Sequence, residues 1–75
     1  MGDLRILNDV DSSAIDSIAY DKDEKKLWIR FTSGSLYEYR NVEESTVNEL
    51  DEAESKGKYF HNNIKDRFDY EKVDE

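Results

Sequence analysis

Two alternating segments joined by a short glycine-containing turn constrain this chain more than any other feature: Leu27-Trp28-Ile29-Arg30-Phe31 and Leu36-Tyr37-Glu38-Tyr39-Arg40, linked through Thr32-Ser33-Gly34-Ser35. In a strand, successive side chains point to opposite faces, so the loop length decides which residues share a face. If Ser33-Gly34 were a two-residue loop, Phe31 would pair with Leu36 and Trp28 with Tyr39. The face carrying Leu27, Ile29 and Phe31 would then also carry Glu38 and Arg40. If Thr32-Ser33-Gly34 is a three-residue loop with a left-handed Gly34, Phe31 pairs with Ser35, Ile29 with Tyr37 and Leu27 with Tyr39. That face holds no charge. Burying an unpaired charge costs several kcal/mol, and glycine suits the third position of such a loop, so the second register is predicted.

Upstream, Ile18 and Tyr20 alternate within a strand from Ile15 to Asp21. Ile15 has the wrong parity, and a bulge near Asp16-Ser17 returns it to the core side. Residues 21–26 form a polar turn, and Asp11, Ser12 and Ser13 form another through side chains that bond nearby amides. Residues 1–9 read as a mobile or extended lead-in, since Leu4, Ile6 and Leu7 follow no clean period, and residues 10–73 as one domain. After the hairpin, Asn41 is placed to cap a helix, with Glu44 three residues on and Glu43 beside it. Val47, Leu50 and Ala53 form its apolar stripe, and Glu49, Asp51, Glu52 and Glu54 face outward. Gly57 suits the position just past the helix end, flanked by Lys56 and Lys58. Phe60, Ile64 and Phe68 recur every fourth residue, which predicts a second short helix on the sheet. Beyond Lys65, Phe68, Tyr70 and Lys72 alternate with Asp69, Glu71 and Val73, as in a terminal extended segment on a sheet edge, and residues 74 and 75 are expected to fray. The predicted fold is α+β: a three-stranded antiparallel meander, then two helices packed on one face, with a short C-terminal extended segment.

Composition narrows the classes of function. With 75 residues, one small core is expected, burying only ~60% of the unfolded surface. Without cysteine there are no disulfides or thiolate metal ligands. Charged residues are 40% of the chain, yet the apolar residues are clustered and periodic, which argues for a folded domain over disorder. No apolar run is long enough to cross a membrane. Asp3, Asp9 and Asp11 stand where a signal peptide would be apolar, so a cytoplasmic location is expected. The net charge of −8 favours a monomer and opposes non-specific binding to nucleic acid.

With these residues placed, the chain resembles the KTSC domain family. The resemblance is carried by Ser12-Ser13, Ile15, Ile18-x-Tyr20-Asp21, Leu27-x-Ile29-x-Phe31, Gly34, Tyr37-x-Tyr39 and Val42. It continues through Ala53-x-Ser55-x-Gly57-x-Tyr59-Phe60 and Ile64, covering roughly Val10 to Val73. Glu43 departs from the proline common after the valine, but glutamate suits a first helical turn equally. The resemblance implies a small module found alone in bacteria and phage or appended to lysyl-tRNA synthetases. RNA is a suggested ligand from that company, and no catalytic residues carry over.

Candidate contact residues fall into two groups. Trp28 points away from the core beside Arg30 and Arg40, as an aromatic-basic patch or as an indole packed on arginine stems. Lys56, Lys58, Lys65 and Arg67 surround the second helix, with Tyr59, His61, Asn62 and Asn63 between them; this group is the better candidate for anion contact, though Asp66 and Asp69 dilute it. Tyr37 and Tyr39 would stack bases if exposed, but the register turns them to the core. His61 has no partners at metal or general-base spacing, and Ser55 with His61 makes no nucleophile motif. Asp21-x-Asp23-Glu24 resembles the start of a calcium loop, but Lys26 and Thr32 occupy the positions of its glycine and final glutamate. No cofactor and no enzymatic activity are expected. The functional reading is a binding module whose ligand is RNA. The alternative is a protein-interaction module using Trp28 and the acidic helix Glu43 to Glu54.

Overall fold

A computed structural model describes residues 4–7 and 13–73 of the chain. Five strands form one antiparallel sheet: β1 Leu4–Leu7, β2 Ile15–Asp21, β3 Lys26–Phe31, β4 Leu36–Tyr39 and β5 Tyr70–Val73. They lie in sequence order across the sheet. Two helices, α1 Glu44–Glu52 and α2 Lys56–Asn63, form the connection from β4 to β5.

The three-residue loop is present. Ile29 pairs with Tyr37 and Leu27 with Tyr39. The loop closes through the Phe31 amide on the Ser35 carbonyl (2.8 Å) and the Gly34 amide on the Phe31 carbonyl (2.9 Å). Gly34 has φ +99°, a region L-residues avoid. The β2 bulge falls between Ile15 and Ser17, and Ile15 is buried. One register row of the inner face therefore runs Arg5, Tyr20, Leu27, Tyr39, Tyr70, and the next Leu7, Ile18, Ile29, Tyr37, Lys72.

Both helices cover this inner face. Arg5 of β1 reaches Asn48 (2.7 Å) and Asp51 (2.9 Å) on α1, and Phe60 of α2 packs edge-on against Phe31 and Tyr39. Val47 and Leu50 from α1 join Phe60, Ile64 and Val42 in the core. Each such side chain contributes about 1.5–3 kcal/mol on burial. Tyr20, with a polar tip at the core's centre, donates its hydroxyl to the Val42 carbonyl at 2.6 Å.

Several expectations are corrected. The sheet has five strands, not three. The terminal segment expected on an edge is β5, and β1 lies within the expected lead-in. The apolar residues of β1 are split between faces: Leu7 is buried on the inner face, while Leu4 and Ile6 point outward, 58% and 54% exposed. Asn41 does not cap α1. It takes φ +59° and turns the chain so that Val42 enters the core, its amide bonded to the Lys25 carbonyl (2.9 Å). Glu43 is the N-cap residue, without a side-chain cap bond. Gly57 does not terminate α1, which ends at Glu52. Ser55 starts a new helix by accepting the Lys58 amide (3.3 Å), so Gly57 lies in the first turn of α2. The second helix is shifted toward the N-terminus relative to the Phe60–Phe68 repeat; Phe68 lies beyond it, half-buried against the core. The lead-in beyond β1, the Asp11-Ser12 part of the early turn and residues 74 and 75 lie outside the described residues.

Two substitutions test this construction in urea denaturation. Gly34→Ala is expected to lose ~1–2 kcal/mol through backbone strain alone, because an added Cβ meets nothing within 4 Å. Tyr20→Phe is expected to lose ~1–3 kcal/mol by removing the buried hydroxyl bond, with the denaturant slope unchanged.

Candidate functional site

The register divides the predicted contact residues between opposite sides of the molecule. On the outer face, one row reads Ile6, Ala19, Trp28, Glu38, Glu71. Trp28 is half-buried, and its indole N–H donates to Glu38 at 3.2 Å. Glu38 also holds Arg40 (3.1 Å) and lies 3.8 Å from Lys26, and Arg40 bridges on to Glu71. These hydrogen bonds, that to Glu71 first and that to Glu38 second, raise the Arg40 pKa. Arg30 donates to the Gly34 carbonyl at 3.2 Å, bracing the β3–β4 turn. The basic groups of this face are thus committed to local partners. Beside them, Leu4 and Ile6 leave an apolar margin on β1.

The other group lies along α2 and the turn after it. Lys58, His61, Asn62, Lys65 and Arg67 are all exposed. Among the described residues, Lys58, Lys65 and Arg67 form no ion pair. Lys56 differs, being only 8% exposed. No buried side-chain nitrogen or oxygen among the described residues lacks a partner, so its stem is covered while its ammonium is either solvated or bonded. Tyr59 is half-buried, its pKa raised by burial first and then by the nearby Glu49 of α1. Asn63 spends its amide on the Tyr59 carbonyl (3.2 Å). Lys56 and Lys58 stand in the first turn of α2, at the positive end of the helix dipole, where cations are disfavoured and anions attracted.

Between α2 and the β3–β4–β5 end of the sheet lies a cleft of about 470 Å³. Its wall is aromatic. Five rings close a circuit, Phe31 to Tyr37 (5.5 Å), Tyr70 (5.7 Å), Tyr39 (5.5 Å), Phe60 (5.4 Å) and back to Phe31 (5.7 Å). Ser33 and Ser35 line one side, and His61, Lys65 and Asp66 the other. A second depression, lined by Ser55, Lys58 and Asn62, shares Ala14, Gly57 and His61 with the first. Tyr39 is pushed up to about 12 by burial first, then by Tyr70, Tyr37 and the charge of Asp66.

The sequence reading missed Tyr70, Asp66, Ser33 and Ser35 as site residues. For Tyr70 the signal was the alternation of residues 68–73, which would have placed it on the face of Tyr39 had the segment been paired with β4. Asp21, at the start of the weak calcium-loop match, instead accepts the amides of Asp23 (3.0 Å) and Glu24 (3.3 Å) in a turn. Among the described residues no three acidic, histidine or cysteine side chains could hold a metal ion, and no helix is long and apolar enough to cross a membrane.

The sequence model of the KTSC domain matches residues 11–68. The chain belongs to the KTSC domain family. A crystal structure of a KTSC domain protein from Yersinia pestis superimposes with a TM-score of 0.84 at 36% identity, covering 96% of this chain and all of that one. A protein of Tsukamurella paurometabola is 41% identical over 59 residues, covering 79% of this chain and 88% of its own length. A lysine–tRNA ligase of Nostoc sp. is 43% identical over 63 residues, 84% of this chain but only 11% of that enzyme; a ligase of Trichormus variabilis matches to the same extent. The KTSC chain thus spans about a ninth of the ligases it matches.

The shifted tyrosine gives a prediction. A phenol whose folded pKa lies above its unfolded value of 10 stabilises the fold fully below pH 10, and loses that contribution as pH rises through about 12. Tyrosinate absorbance should show one phenol titrating last, near pH 12. Tyr39→Phe should remove that step and flatten the loss of stability between pH 10 and 12.

Proposed function

We propose that this KTSC domain is a non-enzymatic RNA-binding module whose phosphate-contacting surface is the exposed side of α2 and the turn after it. The observation that carries the reading is charge segregation. Residues 56–67 hold four Lys or Arg and one Asp, in a chain whose net charge is −8. Lys58, Lys65 and Arg67 are exposed without an ion-pair partner among the described residues, whereas Arg40 on the outer face is neutralised. Cations at the start of α2 weaken the helix slightly, a local cost that binding of an anion offsets. Asn62 adds a neutral donor of the kind that contacts phosphate oxygens. The chain's similarity to stretches of lysine–tRNA ligases, whose name gives tRNA as their substrate, points the same way. The acidic remainder restricts contact to this side and suppresses indiscriminate binding.

A protein-interaction role is the second reading, favoured by exposed Leu4 and Ile6 next to half-buried Trp28 on the open sheet face. On either reading the module is cytoplasmic and acts as a monomer, since its charge opposes self-association.

NMR titration with short single-stranded RNA at low and moderate salt separates the two. Salt-sensitive shifts at Lys58, His61, Asn62 and Lys65, with Trp28 and Arg30 unmoved, are expected. The double substitution Lys58→Ala/Lys65→Ala should lower the slope of log affinity against log salt by roughly 1.4. The absence of shifts at low salt, or shifts confined to Trp28, Leu4 and Ile6, overturns the RNA reading.

A further inference from the structure

We infer that the aromatic cleft between α2 and the β3–β4–β5 end of the sheet holds one unstacked nucleobase of the bound strand; this rests on the RNA reading above and assigns it a base site. The volume of about 470 Å³ falls within the ~300–1,000 Å³ typical of small-molecule sites.

The shape of the wall favours a flat ring. Tyr37, Tyr39 and Phe31 are fixed by strand register and by ring contacts on the core side. Tyr70 closes the circuit from β5, yet remains 56% exposed. A large aromatic placed by strand pairing, with over half its surface in water, presents a stacking face. The rings of Tyr39 and Tyr70 are only 33° from parallel and those of Tyr37 and Tyr70 40°, so along this side the phenols are inclined to one another instead of perpendicular.

The polar groups set the orientation. Asp66 lines the cleft, so an N–H edge of a base finds an acceptor there. Ser33 and Ser35 supply hydroxyls that donate or accept. His61 and Lys65 also line the cleft, and His61 belongs equally to the adjoining depression lined by Lys58 and Asn62. A strand laid along α2 therefore keeps its phosphates on the basic side and turns one base inward. The division of charge matches a nucleotide's own, with an anionic backbone and a neutral ring bearing hydrogen-bond donors.

The test compares a fluorescent oligoadenylate with an abasic oligomer of equal length and charge, by anisotropy at low salt. Wild-type protein should bind the oligoadenylate roughly fivefold or more tightly than the abasic strand. Tyr70→Ala should erase that preference while leaving abasic binding and its salt slope unchanged, and Tyr70→Phe should retain it. Circular dichroism of the alanine variant, and retention of the preference by Tyr70→Phe, separate loss of the stacking face from loss of β5 pairing. Equal binding of the two strands by wild type, or a preference that survives Tyr70→Ala, overturns the base site and leaves the RNA reading intact. Binding of neither strand overturns both. Tyr70 ring shifts with N-acetyl-tyrosinamide but not with adenosine would replace the base by a protein side chain.

Discussion

The three-residue turn at Thr32-Ser33-Gly34 is the constraint on which the rest of this molecule depends. It sets the parity of β4 against β3, and that parity sends Tyr37 and Tyr39 to the helical side and Glu38 to the open side. With the opposite parity, two charges would lie under the helices and the tyrosines would stand in water. Register is a binary choice that the cost of burying charge decides. From it follow the aromatic wall of the cleft, the Glu38 hub for Lys26, Trp28 and Arg40, and the separation of the two basic groups onto opposite sides.

Much of this was legible because it rests on local parity and on glycine's tolerance of positive φ. The bulge at Ile15, the pairing of Ile29 with Tyr37 and the inward tyrosines all follow from alternation within one or two segments. What escaped was set by partners distant in sequence. Strand β1 places Arg5 on the core face, where a charge is unexpected, because Asn48 and Asp51 on α1 receive it. Asn41 looked like a cap from composition, but the demand to bury Val42 drew the chain into the core before the helix could start. Gly57 suggested a helix end, and Ser55 two residues earlier opened a helix instead. The cleft was illegible for the same reason: its fifth ring arrives on β5, after both helices.

The two faces differ in which charges remain available more than in how many each contains. Arg40 counted toward a basic patch when read along the chain, yet it is held by two carboxylates. Lys58, Lys65 and Arg67, on α2 and the turn after it, are fewer than the acidic residues elsewhere, yet they are exposed and form no ion pair among the described residues. Exposed ion pairs contribute little to stability, about 0–1 kcal/mol each. Their larger effect in this domain is to neutralise Arg40 on one face, while Lys58, Lys65 and Arg67 on the other form no ion pair among the described residues.

The placement of both helices between β4 and β5 has a consequence for how the molecule moves. Every other strand pair closes over a short connection, but β5 returns to its neighbour only after the whole helical layer has been laid down, so its pairing carries the largest loop-closure penalty in the sheet. It is short and lies at an edge, with its residues largely in solvent. Detachment of this ribbon is therefore a low-cost excursion of the sheet, and it carries Tyr70 away with it. If the proposed base site is right, occupancy of the cleft and order of β5 are one equilibrium: a guest on Tyr70 would clasp the edge shut, and a loosened edge would dismantle the seat.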